Sequence, residues 1–349
     1  MNRDKKEETL VWSGISELEI TLRSVTDSSL IFANGRNMIT VDVFLTATET
    51  EHGDVIELPY DVILKNTYLI DFSSGEKLNK GAYSGGVFGW AYTNESNGFT
   101  GVPILKTSIV KTSIDQAAVS EDNIDGKQRI SFYIYCSESE QNKIKNIAVM
   151  ITAPDMTFST AHGHQKDSFI QLKALREIKY KYSNAKTKSK FVNITETLPK
   201  NVSVAQKNVY FSLKSDVIYG KCLITKMEAD FHSLIGKAHQ CYHSDDGYST
   251  YYTHFLWDVG KEKEVSIGER KWIELPINFP LNIRINQHFG ELCFSILMVT
   301  DYTFPKLQDK WYDAFIFTVY DQFGNKGMYG LIPDNTNDES KQEVYFAEV

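Results

Sequence analysis

Apolar and polar residues alternate along several short stretches of this chain. Val41, Val43 and Leu45 are separated by single residues, and the same spacing occurs in residues 130–134. Alternation with a period of two places the apolar side chains on one face of a strand, and it is typical of strands buried on one side. Phe, Trp and Tyr make up 13% of the chain, and these residues favour sheet over helix. The pattern therefore predicts an all-β fold with little helix.

Five strand-like stretches in residues 41–151 recur in the same order in residues 209–319. The matched stretches are residues 41–45 with 209–213, 88–90 with 255–257, 102–104 with 275–277, 130–134 with 292–296, and 147–151 with 315–319. The first and last pairs are each offset by 168 residues, which is the size of a domain and too long for a solenoid repeat. The sequence thus predicts two tandem antiparallel β-sandwich domains produced by an internal duplication. Two unrelated β-domains are the alternative. Under duplication, Trp90 is expected to superpose on Trp257, and the strand of Phe132 on that of Phe294.

Charge divides the chain into further segments. Residues 161–200 carry nine Lys and Arg against three Asp and Glu, a net charge of +6 within a chain whose total is −8. We therefore predict an N-terminal β-sandwich domain over residues 10–160, a basic connector over 161–200 with a strand or a helix, and a C-terminal β-sandwich domain over 201–333. The tether itself is expected at residues 183–190. Residues 334–349 hold five acidic residues and one Lys, and are expected to form an acidic tail.

The sequence shows neither a membrane span nor a secretory signal. No apolar run approaches the ~20 residues that a membrane-spanning helix needs, and the charged residues 3–8 lead into no apolar signal core. We expect a soluble, cytoplasmic protein, with release by a non-classical route as the alternative. Of the four scattered Cys, Cys136 and Cys293 lie in hydrophobic stretches, so buried thiols are expected rather than disulfides.

Two aromatic segments are candidates for binding a ligand or a partner. The first lies within residues 79–101, where Tyr83 and Phe99 occur among the Gly, Ser and Asn residues of a predicted long loop. The second combines three Tyr with two carboxylates: Tyr248, Tyr251, Tyr252, Asp245 and Asp246. Flat rings beside carboxylates suit sugars, and Tyr is a favoured anchor at protein interfaces. Aromatic residues that alternate in and out of a sheet are the alternative.

Four of the eight His lie within residues 232–254 and indicate a candidate metal site. His239, Cys241 and His243 alternate as residues on one face of a strand do, and zinc uses these ligand types. Their spacing matches no standard zinc finger or protease pattern, so no cofactor is expected, with zinc as the alternative. The sequence contains no phosphate loop, dinucleotide fingerprint, nucleophile elbow or zinc-protease motif. No catalytic residue is therefore predicted.

The basic connector and the acidic tail are candidate assembly surfaces. Complementary charges steer association, and aromatic residues beside them could bury their rings in a contact. The candidates are Lys179, Tyr180, Lys181, Tyr182, Lys186, Lys188 and Lys190 in the connector, and Glu339, Glu343, Tyr345, Phe346 and Glu348 in the tail.

These features favour a non-enzymatic structural or assembly protein that forms homo-oligomers or larger assemblies through β-domain surfaces. Its expected partner is itself or another protein. The second hypothesis is a lectin-like or toxin-like module that binds glycans at a cell surface through the aromatic loops. The third is a metal-dependent enzyme centred on His239 to His254. Nucleic acid is a poor partner because the isoelectric point is about 5.6.

Overall fold

The computed structural model describes residues 12–23, 28–50, 53–81, 89–106, 127–162, 167–229, 238–245, 250–260, 263–267, 279–301, 315–332 and 345–348. These residues are mostly β-strand, arranged in several sheets with one short α-helix. The chain divides into two compact units, Met1–Glu177 and Ile178–Val349. The predicted predominance of strand over helix is therefore confirmed.

The described residues of the first unit form eleven strands, one α-helix and a 3-10 helix (Glu138–Glu140). They are β1 (Gly14–Leu22), β2 (Ser28–Phe32), β3 (Ile39–Thr48), β4 (Val55–Ile56), α1 (Tyr60–Asn66), β5 (Thr67–Asp71), β6 (Asn79–Lys80), β7 (Trp90–Thr93), β8 (Gln128–Cys136), β9 (Ile144–Thr152), β10 (Thr157–Ser159) and β11 (Ile170–Leu175). Sheet I has the order β1-β3-β8-β7-β6, with β4 beside β3. Sheet II has the order β10-β9-β11-β2, with β5 beside β9.

Sheets I and II share one hydrophobic core. Val41, Val43 and Leu45 of β3 are fully buried, as are Phe132 of β8 and Val149 of β9, and all five belong to the same cluster. The alternation seen in the sequence therefore marks the face of sheet I that packs toward sheet II. Burial of this face supplies the main driving force for folding of the unit.

The second unit contains eleven further strands in its described residues. They are β12 (Ala185–Val192), β13 (Val202–Leu213), β14 (Ile224–Ala229), β15 (Ala238–Asp245), β16 (Thr250–Trp257), β17 (Glu264–Ile267), β18 (Leu281–Arg284), β19 (Leu292–Asp301), β20 (Phe315–Asp321), β21 (Lys326–Ile332) and β22 (Tyr345–Glu348). Sheet III has the order β12-β13-β19-β16-β15, sheet IV the order β14-β20-β21-β22, and sheet V pairs β17 with β18.

β13 and β19 of sheet III are covered on both faces. Phe211 and Phe294 meet Phe317 of sheet IV edge-on, with ring centroids 5.9 and 5.4 Å apart. The neighbouring Tyr210 belongs instead to a cluster with Leu281 of sheet V. Consecutive residues of a strand point to opposite faces, so sheet III is the middle layer of the unit. This position explains why the sequence of β19, LCFSILMVTD, is almost continuously apolar.

Sheets I and III have matching strand orders, and each begins with an antiparallel pair. Their second and third strands also pair at matched residues, Val41 with Phe132 in sheet I and Val209 with Phe294 in sheet III. The fifth strands differ, because β6 runs parallel to β7 whereas β15 runs antiparallel to β16.

The two Trp residues matched in the sequence occupy different environments. Trp90 pairs with Cys136 and lies in the core shared by sheets I and II. Trp257 lies in the cluster shared by sheets III and V. When the matched strands of sheets I and III are aligned, the rings of Trp90 and Trp257 therefore lie on opposite faces of the sheet. The expected superposition of Trp90 on Trp257 is wrong. A short aromatic motif does not fix strand register, and an odd shift reverses the face of every side chain.

The segment predicted as a connector is divided between the two units. β11 pairs with β9 and β2 in the first unit, whereas β12 pairs with β13 in the second. The expected tether, residues 183–190, therefore forms part of a 3-10 helix (Tyr182–Asn184) and most of β12. The end of the predicted acidic tail is also a strand, because β22 pairs with β21 and lies against that 3-10 helix.

Candidate interaction surface

Residues 178–184, which we call the anchor segment, hold the start of β12 against the β20–β21 hairpin. The Tyr180 N–H donates to the Lys326 carbonyl at 3.0 Å, and the Tyr180 hydroxyl donates to Asp321 Oδ2 at 2.8 Å. The Ile178 N–H donates to Asn325 Oδ1 at 3.2 Å. Tyr180 is 4% exposed, so the predicted assembly role of its ring does not match its position within the unit. Its hydroxyl fixes the anchor segment instead.

Asp321 organises the buried end of this contact. Its Oδ1 accepts hydrogen bonds from the N–H groups of Phe323 and Asn325, both at 2.9 Å, and its Oδ2 accepts one from Asn325 Nδ2 at 3.1 Å. Burial raises the pKa of Asp321, although its hydrogen bonds with Asn325 and Tyr180 act in the opposite direction. The carboxyl group is thus fully engaged by its own hairpin and by the anchor segment.

β12 follows the anchor segment and is exposed along most of its length. It pairs with β13 from Ala185 opposite Leu213 to Val192 opposite Gln206. The Lys214 N–H also donates to the Asn184 carbonyl at 2.8 Å, which fixes the first pair. All six residues between Ala185 and Val192 are exposed. β12 is therefore a rigidly paired strand whose side chains remain in solvent.

The two faces of β12 differ in chemistry. Lys186, Lys188 and Lys190 lie on one face, and Thr187, Ser189 and Phe191 lie on the other. Side chains on one face are about 7 Å apart. Phe191 is 67% exposed. The sequence analysis did not select Phe191, although the same period of two that places the three Lys on one face places Phe191 on the other.

Positive charge along residues 178–192 has no acidic counterpart. The segment contains five Lys and no Asp or Glu. Lys179 and Lys181 of the anchor segment are exposed, as are the three Lys of β12, and the Tyr182 side chain is 52% exposed. In the part of the chain that the structure describes, none of these five Lys forms an ion pair.

β12 is also a terminal strand of sheet III, and no other strand among the described residues pairs with its outer edge. An edge strand presents a row of backbone N–H and C=O groups that another strand can bind. We define the basic edge as β12 with Lys186, Lys188 and Lys190. It combines strand-pairing groups with uncompensated positive charge.

The two predicted aromatic segments lie outside the basic edge. Phe99 is 7% exposed, and its carbonyl accepts hydrogen bonds from the Met38 N–H at 2.8 Å and Asn37 Nδ2 at 3.2 Å. These bonds hold Phe99 in the first unit instead of on an exposed loop. Tyr83, Tyr248 and Asp246 lie outside the described residues. Asp245, Tyr251 and Tyr252 belong to β15 and β16, where the structure describes only their backbone.

The candidate metal ligands lie in β15, and the structure describes only their backbone. His239 pairs with Leu256 and His243 with Thr253, and the register shifts between Gln240 and Tyr242. The pairing partners are three residues apart on β16, so strict alternation does not extend from position 239 to position 243. The regular strand assumed for His239, Cys241 and His243 is therefore interrupted. Among residues with described side chains, no cluster of three His, Cys, Asp or Glu could hold a metal ion.

The tail candidates lie within or next to β22. Tyr345, Phe346 and Glu348 are residues of this strand, whose side chains lie outside the description, and Glu348 pairs with Tyr329. Glu339 and Glu343 lie outside the described residues. The end of the tail therefore contacts the anchor segment of its own chain through β22, whereas the sequence predicted such a contact between subunits.

Comparisons with known proteins add little. No family model matches this chain, and no curated protein sequence matches it. A solved structure named BspA_C_WT aligns with 95% of this chain and 100% of its own, at 7% identity and a TM-score of 0.20. At that score the likeness carries no argument. No helix in the described parts of the chain is long and apolar enough to cross a membrane.

Proposed function

We propose that this protein is a non-enzymatic assembly protein that associates through β-domain surfaces, with the basic edge as one contact. The observation that carries the proposal is a rigid edge strand with six consecutive exposed residues and three Lys on one face.

Charge and exposed rings would have separate roles in such a contact. At about 0.15 M salt, charges more than about 8 Å apart are largely screened, so the Lys residues chiefly set encounter rate and register. Phe191 and Tyr182 are 67% and 52% exposed and are the aromatic groups available to supply affinity.

We further infer that each unit is built on a β-sandwich and that the two arose by duplication. The shared core of sheets I and II supports the first inference. The matching strand orders of sheets I and III, with Val41–Phe132 and Val209–Phe294 as matched pairs, support the second. Superposition of the two halves should bring these four positions into register.

Sedimentation velocity tests the assembly proposal over a wide range of protein concentration. We expect species at multiples of 39.8 kDa, and smaller species as salt is raised. Combined substitution of Lys186, Lys188 and Lys190 by Glu should shift the distribution toward monomer. The matched control substitutes Glu at Lys173, Lys200 and Lys221, which are exposed and lie outside β12. A monomer at every concentration and salt would contradict the proposal.

A further inference from the structure

We propose that β12 binds an acidic β-strand of another polypeptide, which adds to sheet III at its outer edge. The inference deepens the proposed assembly function and rests on it for the biological partner. Backbone groups at the edge would supply hydrogen bonds that do not depend on sequence, so specificity must come from the two faces of β12.

The Lys face selects for charge. Lys186, Lys188 and Lys190 recur every second residue, so an added strand with Glu or Asp at alternate positions would place an acidic side chain opposite or diagonal to each Lys. The absence of ion pairs to these Lys within the described chain leaves them available for that role.

The opposite face selects for shape. Thr187, Ser189 and Phe191 present two small side chains followed by one exposed ring. β-branched or aromatic residues at the intervening positions of an added strand would pack against this face. The fitting sequence is therefore an alternation of acidic and β-branched residues.

The same charges act against pairing of one β12 with another. Two copies of β12 side by side would bring Lys residues opposite or near one another, and like charges across strands are destabilising. Lys residues on an edge strand protect against such association. The partner surface should therefore differ from β12, which makes the contact heterologous rather than two-fold symmetric.

Fluorescence anisotropy of a short labelled peptide that alternates Val and Glu tests the inference on the full chain. We expect the peptide to bind about tenfold more tightly than a peptide of the same composition with its Val and Glu in separate blocks. The Lys186→Glu, Lys188→Glu, Lys190→Glu variant should lose that preference and should bind a peptide that alternates Val and Lys. The control with Glu at Lys173, Lys200 and Lys221 should bind the Val and Glu peptide as the parent does.

The outcomes separate this inference from the proposed function. Equal binding of the alternating and block peptides, or no binding of either, would overturn the inference, even if the protein assembles through another surface. Peptide binding by a protein that stays monomeric would support the inference and overturn self-assembly. Retained peptide preference after charge reversal would show that the three Lys do not select the partner.

Discussion

At the scale of single residues, buried polar contacts fix the position of the basic edge. Asp321 is fully buried and would carry a large desolvation cost if its oxygens lacked donors. The Tyr180 hydroxyl is one of those donors, at 2.8 Å. Because Tyr180 lies five residues before β12, this hydrogen bond couples a buried carboxyl group to the start of the exposed edge.

Substitution of Tyr180 by Phe should lower the free energy of unfolding by about 1–3 kcal/mol, because it removes a donor from a buried acceptor. Urea unfolding measures this loss. Tyr182→Phe is the matched control, since the Tyr182 side chain is 52% exposed, and it should change stability little. Equal effects of the two substitutions would show that the hydroxyl of Tyr180 does not hold the anchor segment.

Asp42 in the first unit should make the free energy of unfolding depend on pH in the acidic range. Burial alone would raise the pKa of Asp42, but hydrogen bonds from Arg23, at 2.7 and 3.1 Å, and from Ser131, at 2.6 Å, lower it overall. The folded state then binds fewer protons than the unfolded state, so this contribution to stability is lost as the pH falls below about 4.

Asp42→Asn should therefore be less stable than the parent at neutral pH, and the difference should narrow as the pH falls through that range. Urea unfolding at a series of pH values measures both curves. Glu19→Gln, an exposed position on β1, is the control. Parallel curves for the parent and Asp42→Asn would contradict the assigned role of Asp42.

At the scale of elements, alternation of apolar and polar residues predicted the strands that bury one face. It did not predict α1 or β12. β3 and β8 were predicted from period two, because their apolar residues face one core. α1 has seven residues and one buried side chain, Ile63, so it leaves no helical period to detect. β12 alternates Lys with polar residues and lacks an apolar face, so only its pairing with β13 reveals it as a strand.

The candidate site was predictable only in part. Composition identified Lys186, Lys188 and Lys190 as a basic segment, and the structure places them together on one strand. Composition could not distinguish exposed Tyr182 from buried Tyr180, since the difference comes from contact with the distant Asp321.

β22 makes the tail a structural element of the second unit. Deletion of residues 333–349 removes four cross-strand pairs with β21 and should lower the free energy of unfolding by about 1–4 kcal/mol. Urea unfolding followed by circular dichroism measures the loss. Deletion of residue 349 alone is the control, and it should change the free energy of unfolding little. An unchanged unfolding curve for the longer deletion would show that β22 adds nothing to the stability of sheet IV.

At the scale of the whole molecule, two units with similar strand orders differ in their exposed charge. Sheet I begins with β1, in which five of nine residues are buried, whereas sheet III begins with β12, in which six of eight residues are exposed. If the units descend from one ancestor, the basic edge is a specialisation of the second. Assembly would then use an edge strand that is more exposed in the second unit than in the first.

The central claim is that the outer edge of β12 is free to bind a partner strand, and amide hydrogen exchange across residues 185–192 tests it most directly. In the monomer, amides that bond to β13 should be protected, and the alternate amides, which point outward, should exchange rapidly. On assembly, or on saturation with the alternating Val and Glu peptide, the alternate amides should become protected while the others change little. Assembly that leaves the outward amides of β12 exchanging rapidly would contradict the account.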